Sequence, residues 1–219
     1  MGTKLHIWVS SFLLLLLGSA CESSSSQTQH QPEKATVQTV ADSCDNPDAA
    51  IECCFLNMPQ KLTRTMTIAG AAEPGERLVI SGRIFKKDGN TPLSNAIIYA
   101  YHTDNTGHYA KKGNETGVQK WHGRLHGWCK TDQNGSYEIK SIRPARYPDN
   151  SMPAHIHAAI KPENGAPFYI SDFVFKDDNL VNAKYLASLF TDVGGTGIVN
   201  VQKNANNTWV GRRDIYLKK

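Results

Sequence analysis

The stretch Pro153-Ala154-His155-Ile156-His157-Ala158-Ala159-Ile160 carries two histidines two positions apart. Side chains of an extended strand alternate between its faces. Ile156, Ala158 and Ile160 therefore share one face, and His155 and His157 share the other. Two imidazoles side by side can reach one metal ion, although the same pattern also describes a polar outer face with two unrelated histidines. A second feature is a repeat. Thr-Asp-x-x-Gly-x-Tyr occurs at 103–109 and again at 131–137. Asp-x-x-Gly permits a tight reversal, because Gly takes positive φ without strain. The two turns read as equivalent, but their tyrosines do not. Tyr137 opens the strand-like run Glu138–Ile142. Tyr109 runs into Ala110-Lys111-Lys112-Gly113, with no strand of its own.

The elements that must position these residues are short strands punctuated by turns. Leu78–Phe85 is a strand candidate, followed by a Gly- and Pro-marked turn. In Asn95–Tyr101, Ala96, Ile98 and Ala100 face one way and Ile97, Tyr99 and Tyr101 the other. Tyr137–Ile142, Ala154–Ile160, Phe168–Phe175 and Trp209–Leu217 complete the set. Helical periodicity is scarce: Ala183–Phe190 fits two turns of helix. Residues 111–128 contain Gly113, Gly117, Gly123 and Gly127 and read as a long loop, a place where function concentrates. The fold class is all-β, an antiparallel β-sandwich with long connecting loops and little helix.

The chain has 219 residues, enough for one good-sized domain, with ordinary hydrophobic (40%) and charged (20%) content. A net charge of +4 without a basic, aromatic-laced patch excludes nucleic acid as the expected partner. At the N-terminus Lys4 and His6 precede the apolar run Phe12–Leu17 and then Gly18-Ser19-Ala20-Cys21, the layout of a secretory signal over 1–20. The small residues before Cys21 resemble a bacterial lipobox, whose Cys is lipidated. Plain signal cleavage and secretion is the alternative. Residues 21–60 are a polar tether and a Cys-containing segment, and 61–219 the folded domain. With Cys21 set aside, Cys44, Cys53, Cys54 and Cys129 predict two disulfides, with Cys53–Cys54 the least favourable pairing.

Three stretches together resemble the intradiol ring-cleavage dioxygenases, the family of catechol and protocatechuate dioxygenases. The first runs from Ser81-Gly82-Arg83 through Asp88-Gly89 and Pro92-Leu93 to Gly107-His108-Tyr109. The second runs from Gly127 through the turn at 131–137 to Ile142-x-Pro144-x-x-Tyr147-Pro148. The third is Pro153-Ala154-His155-Ile156-His157. Tyr-Pro with Pro-Ala-His-Ile-His is the specific part. The resemblance implies Fe(III) held by Tyr109, Tyr147, His155 and His157. It implies cleavage of a catechol-type diol by O2 between the two hydroxylated carbons, giving a muconate-type dicarboxylate, with no organic cofactor. The donor types suit that ion: a cation beside a phenol favours the phenolate, and hard anionic oxygens favour Fe(III). Where the family places an Arg immediately before Pro-Ala-His-Ile-His, this chain has Met152. Arg124, among Trp121, His122, His126 and Trp128 of the long loop, is the expected substitute cation. Arg143 and Arg146 read more simply as a solvated strand end. The expected partners are a small aromatic diol and O2, with the membrane reached only through a lipid at Cys21. An oligomer fits the family, although nothing in the sequence identifies an interface.

A non-catalytic β-sandwich binding module of the transthyretin or peptidase-regulatory kind would share Gly82, Pro92, Ala96 and both turns. It would have no use for Tyr147 and the His155/His157 pair together.

Overall fold

The strand β2 (Arg77–Phe85) alternates as its sequence does, with Leu78, Ile80 and Ile84 turned inward. In the computed structural model, which describes residues 43–189, 191 and 193–217, it pairs antiparallel with β5 (Ser136–Ile142) from Arg77↔Ile142 to Arg83↔Ser136. The signal at 1–20, Cys21 and the tether to residue 42 lie outside the described residues. Around this pair the first sheet runs β1 (Thr65–Thr67), β5, β2, β11 (Trp209–Arg212), β10 (Val201–Lys203), and β12 (Ile215–Tyr216) also joins β2. The second sheet runs β4 (His126–Lys130), β3 (Ile97–Tyr101), β6 (His155–Lys161), β8 (Phe173–Phe175), β9 (Ile198–Val199), with β7 (Phe168–Tyr169) beside β6. The sheets stack as the expected all-β sandwich. Most pairings are antiparallel, while β1–β5, β2–β11, β2–β12 and β8–β9 run parallel.

The inward faces build the main core. Ile98, Ala100, Ile156, Ala158 and Ile160 of the second sheet meet Leu78, Ile80, Tyr137 and Ile139 of the first. Each large side chain so buried contributes about 1.5–3 kcal/mol. The outer face of the second sheet is covered as well. Tyr99, Ala159 and Val118 pack with Cys53, Cys54 and Phe55 of the N-terminal segment, flanked by Tyr101 and Trp128. That segment includes a 3-10 turn, Ile51–Phe55.

Several local expectations change where tertiary bonds intervene. Phe168–Phe175 is two strands, because Ser171 leaves β6 and bonds through its N–H to the Val193 carbonyl (3.0 Å) and through its hydroxyl to the Thr191 carbonyl (2.7 Å). Trp209–Leu217 breaks at Arg213, whose buried guanidinium donates to the carbonyls of Ser171 and Gly194. The helix expected over Ala183–Phe190 is α2 (Ala183–Ala187), capped by the Asn182 side chain, which accepts from the Tyr185 N–H. The loop expected over 111–128 contains α1 (Gln119–His122), which Gly123 ends, and the first residues of β4. The short strands β1, β9 and β10 carry too few residues to show a period.

The cysteine expectation needs correction. Cys44 and Cys53 form a disulfide, but Cys54 and Cys129 are free and buried. A second bridge is ruled out by the pleat. Cys129 points into the core between the sheets, whereas Cys54 packs on the outer face, where its carbonyl accepts from Trp128 Nε1 at 2.8 Å. Alkylation under denaturing, non-reducing conditions is expected to label Cys54 and Cys129 and spare Cys44 and Cys53, read by peptide mass. Failure to label Cys54 and Cys129 would show a bridge between them.

Candidate metal centre

The alternation of β6 sends Ile156, Ala158 and Ile160 into the core and leaves His155 and His157 on the outer face of the second sheet. Their Nε2 atoms stand 3.0 Å apart. His155 Nδ1 lies 2.6 Å from the Pro153 carbonyl, and His157 Nδ1 lies 3.0 Å from Asp172 Oδ1. Both partners are acceptors, so each imidazole carries its proton on Nδ1 and presents a bare Nε2.

Two tyrosines close the figure. Tyr109 Oη is 2.9 Å from His157 Nε2, Tyr147 Oη is 3.2 Å from His155 Nε2, and the two phenol oxygens are 2.7 Å apart. The four donor atoms form a closed ring with four short edges. Neutral phenols supply two protons for those edges, and the imidazole edge receives none. At least two edges therefore set lone pair against lone pair. A cation at the centre removes that conflict, and adjacent donors bound about 2 Å from one ion would stand about this far apart. Burial acts in the same direction. It raises the phenol pKa of Tyr109 and of Tyr147, and it lowers that of the His155 imidazolium. The phenols shed their protons at neutral pH only with a strong positive charge beside them. Two phenolate oxygens and two neutral imidazoles fit Fe(III).

Local structure holds the two tyrosine segments together. Asp104 Oδ1 accepts from the N–H groups of Thr106 and His108, and Gly107 takes φ +86°. The twin turn does the same with Asp132 and Gly135 (φ +69°). The Tyr109 turn is pinned to the Tyr147 segment by Thr103 Oγ1 to the Ala145 carbonyl (2.8 Å) and by the Ala145 N–H to the Asp104 carbonyl (3.1 Å). Arg146 then pairs with Asp178, whose Oδ2 also accepts from the Ala154 N–H at 2.9 Å. One carboxylate so ties the Tyr147 segment to the start of β6.

The remaining candidates fall elsewhere. Tyr137 is fully buried in the sandwich core and donates to the Arg213 carbonyl at 2.6 Å. Arg124 is engaged in an ion pair with Glu73, with Nη2–Oε1 at 2.7 Å, and makes no hydrogen bond to the ring of donors. It lines a separate polar cavity with His126 and Trp128. Arg143 pairs with Asp177 and stacks on Phe175 and Trp209, so neither it nor Arg146 is a free strand end. His122 lies over Tyr101 rather than in a loop, and burial pushes its pKa down to about 3. Met152 borders a cavity with Pro153, Lys184 and Tyr185.

Asp172 escaped the sequence reading. Burial works against its charge, yet the His157 hydrogen bond holds its carboxyl below the usual carboxylate range. It meets the ring nitrogen on the far side from the shared donors, which makes it an orienting group for His157. No motif marks it, because the break between β7 and β8 brings it there.

The family described as "Dioxygenase" matches residues 54–209. Catechol 1,2-dioxygenase 2 of Acinetobacter lwoffii is 27% identical over 139 residues, 51% of this chain and 49% of that protein. The protocatechuate 3,4-dioxygenase beta chain of Burkholderia cepacia is 26% identical over 113 residues, 49% of this chain and 48% of the other. The chain spans about half the length of the curated relatives it matches. Among solved structures, the dioxygenase domain of a dioxygenase carbohydrate-binding protein fusion from Streptomyces sp. SirexAA-E superposes with TM-score 0.55 at 22% identity, over 73% of this chain and 90% of that one. An intradiol ring-cleavage dioxygenase from Tetranychus urticae gives 0.53 at 17%, over 74% and 89%. At such identities the likeness shows the fold alone.

Proposed function

The chain belongs to the intradiol ring-cleavage dioxygenase family, and on that premise we propose that it is a non-haem Fe(III) enzyme opening catechol-type rings between their two hydroxylated carbons with O2. The observation that carries this is the closed ring of two phenol oxygens and two bare imidazole nitrogens. Tyr109, Tyr147, His155 and His157 would hold the ion. When bound, Fe(III) supplies Lewis acidity to a chelated diol, which makes the ring electron density available to O2.

The chain's own residues do the rest. Tyr109 and Tyr147, 2.7 Å apart, would offer two adjacent oxygens to two adjacent substrate hydroxyls, and either one as phenolate would accept a proton as general base. His155 and His157 are oriented through Nδ1, by the Pro153 carbonyl and by Asp172, so that each would offer Nε2 to the ion. His157 and Asp172 also border a cavity of about 260 Å³ walled by Tyr169, Ser171, Leu189 and Thr191. Among the described residues no Lys or Arg lines it. A ring carboxylate would set a second anion near Asp172, so unsubstituted catechol is expected to exceed protocatechuate in kcat/KM by about tenfold or more, equal to about 1.4 kcal/mol. Equal efficiencies would refute that charge argument.

We also propose export with a lipid anchor at Cys21. The apolar run Phe12–Leu17 and the small residues before Cys21 support this reading, as does the Cys44–Cys53 disulfide, a bond suited to an oxidising compartment.

The deciding experiment uses colour. Tyrosinate bound to Fe(III) absorbs strongly in the visible. Iron-loaded protein is expected to be coloured, to have that band weakened and shifted in Tyr147→Phe, and to take up O2 with catechol. A colourless iron-loaded protein would refute the proposal.

A further inference from the structure

The two histidines of β6 are held by different means. His155 is tied through Nδ1 to the carbonyl of Pro153, on its own segment, at 2.6 Å. His157 depends on distant parts of the chain. Asp172 takes its Nδ1 at 3.0 Å. Tyr101, its direct cross-strand partner on β3, stacks on it with ring centres 4.6 Å apart and planes 28° from parallel. His122, the last residue of α1, stacks on Tyr101 in turn at 3.7 Å and 7°. His122 is itself fixed, since its Nδ1 is 2.8 Å from the hydroxyl of the fully buried Tyr99. Three stacked rings thus end on one candidate ligand, and their far end is anchored in the covered outer face of the sheet.

We propose that Tyr101 and His122 are positioning residues that clamp the His157 imidazole, so that its Nε2 faces the other three donors. The inference takes only the identity of the metal from the dioxygenase reading; the clamp is a statement about His157 itself. A stacked ring pair is worth about 0.5–1.5 kcal/mol beyond its buried area. The hydrogen bond to Asp172 sets the direction of Nδ1, and the Tyr101 ring packed on its face holds the imidazole plane against tilting. Loss of groups that orient a metal-bound histidine typically costs about 10- to 100-fold in metal affinity.

The test separates ring from hydroxyl and clamp from fold. Tyr101→Leu removes the ring, Tyr101→Phe keeps it, and His122→Leu removes only the second layer. Iron retention is read as the rate at which a strong chelator strips the loaded protein. Ring position is read in metal-free protein from the His157 Cε1–H resonance, which stacked neighbours shift by their ring currents. Tyr101→Leu is expected to speed stripping about 10- to 100-fold, with His122→Leu intermediate and Tyr101→Phe within about twofold of the parent. The resonance should move in both leucine variants. His122→Leu carries the test if Tyr101→Leu does not fold. Parent-like stripping with an unmoved resonance overturns the clamp. So does a lowered apo melting temperature with parent-like stripping, which would assign Tyr101 to packing alone. A Tyr101→Phe variant as leaky as Tyr101→Leu also overturns it. A parent that takes up no iron defeats the dioxygenase reading instead, and the resonance then decides the clamp without metal.

Discussion

His155→Ala is expected to abolish ring cleavage and to bleach the iron-loaded protein. His155 is the most enclosed of the four donors, at 4% exposure, and it touches two of the others, Tyr147 Oη at 3.2 Å and His157 Nε2 at 3.0 Å. Its removal opens one corner of the ring and leaves a cavity that water can enter. The ion would lose a fixed ligand, and the two phenolates would lose part of the field that keeps them deprotonated. A fall in kcat/KM of at least about 10³-fold, about 4 kcal/mol of transition-state stabilisation, follows. Steady-state oxygen uptake and the visible spectrum measure both effects. Tyr137→Phe is the control. It removes a core hydrogen bond to the Arg213 carbonyl, worth about 1 kcal/mol of stability, and should leave colour and turnover intact. An active, coloured His155→Ala protein would mean that the metal lies elsewhere.

Gly107→Ala is expected to be strongly damaging although it touches no donor atom. A Cβ on Gly107 would stand 2.0 Å from the Arg146 carbonyl oxygen, at a φ of +86°. That oxygen belongs to the residue before Tyr147. Relief therefore moves the Tyr109 turn away from the Tyr147 segment and lengthens the 2.7 Å contact between the phenols. The strain and displacement together cost about 2–4 kcal/mol. The repeat provides an internal comparison. Gly135→Ala meets the Ile84 carbonyl oxygen at 2.5 Å with φ +69°, in the same turn but beside Tyr137 and away from the donors. Both variants should melt earlier, but only Gly107→Ala should also lose iron affinity and colour. Equal iron affinity in the two would show that the turn does not position Tyr109.

Much of this was legible in the sequence because β6 is a plain alternating strand. Period two put His155 and His157 on one face and three apolar residues on the other, and that is how they stand. The same period placed Ala96, Ile98 and Ala100 against Ile97, Tyr99 and Tyr101. The difference between Tyr109 and Tyr137 was also visible, since one leads into a loop and the other into a strand. Groups brought by tertiary bonds were not visible. Asp172 arrives where the chain leaves β6 to bond at 191 and 193. Arg124 looked like a free cation in a Gly-rich loop, but Glu73, 51 positions away, takes it up. The cysteines misled for a related reason. Their number was even, but the pleat of β4 turns Cys129 inward while Cys54 packs outside. The outward direction of Tyr101 could be read, whereas the ring lying over it comes from a helix too short to leave a signal.

The strand β6 divides its residues between two tasks. Its inward side chains Ile156, Ala158 and Ile160 fill the core, and its outward His155 and His157 belong to the candidate site. The donor atoms lie outside the sandwich core, so the fold does not depend on keeping them. A lineage of this chain that lost one of these four side chains would still inherit a folded sandwich, with its inward core intact. Such a descendant would be free to acquire a binding role. The same separation serves an engineer. The four donors and their stacked neighbours can be redesigned for another metal as one set of positions, while Ile156, Ala158 and Ile160 remain untouched. A one-residue insertion or deletion within β6 has the opposite character, because it would turn ligands inward and core residues outward together. In this strand, substitutions can be accumulated one at a time, whereas a change of length strikes fold and function at once.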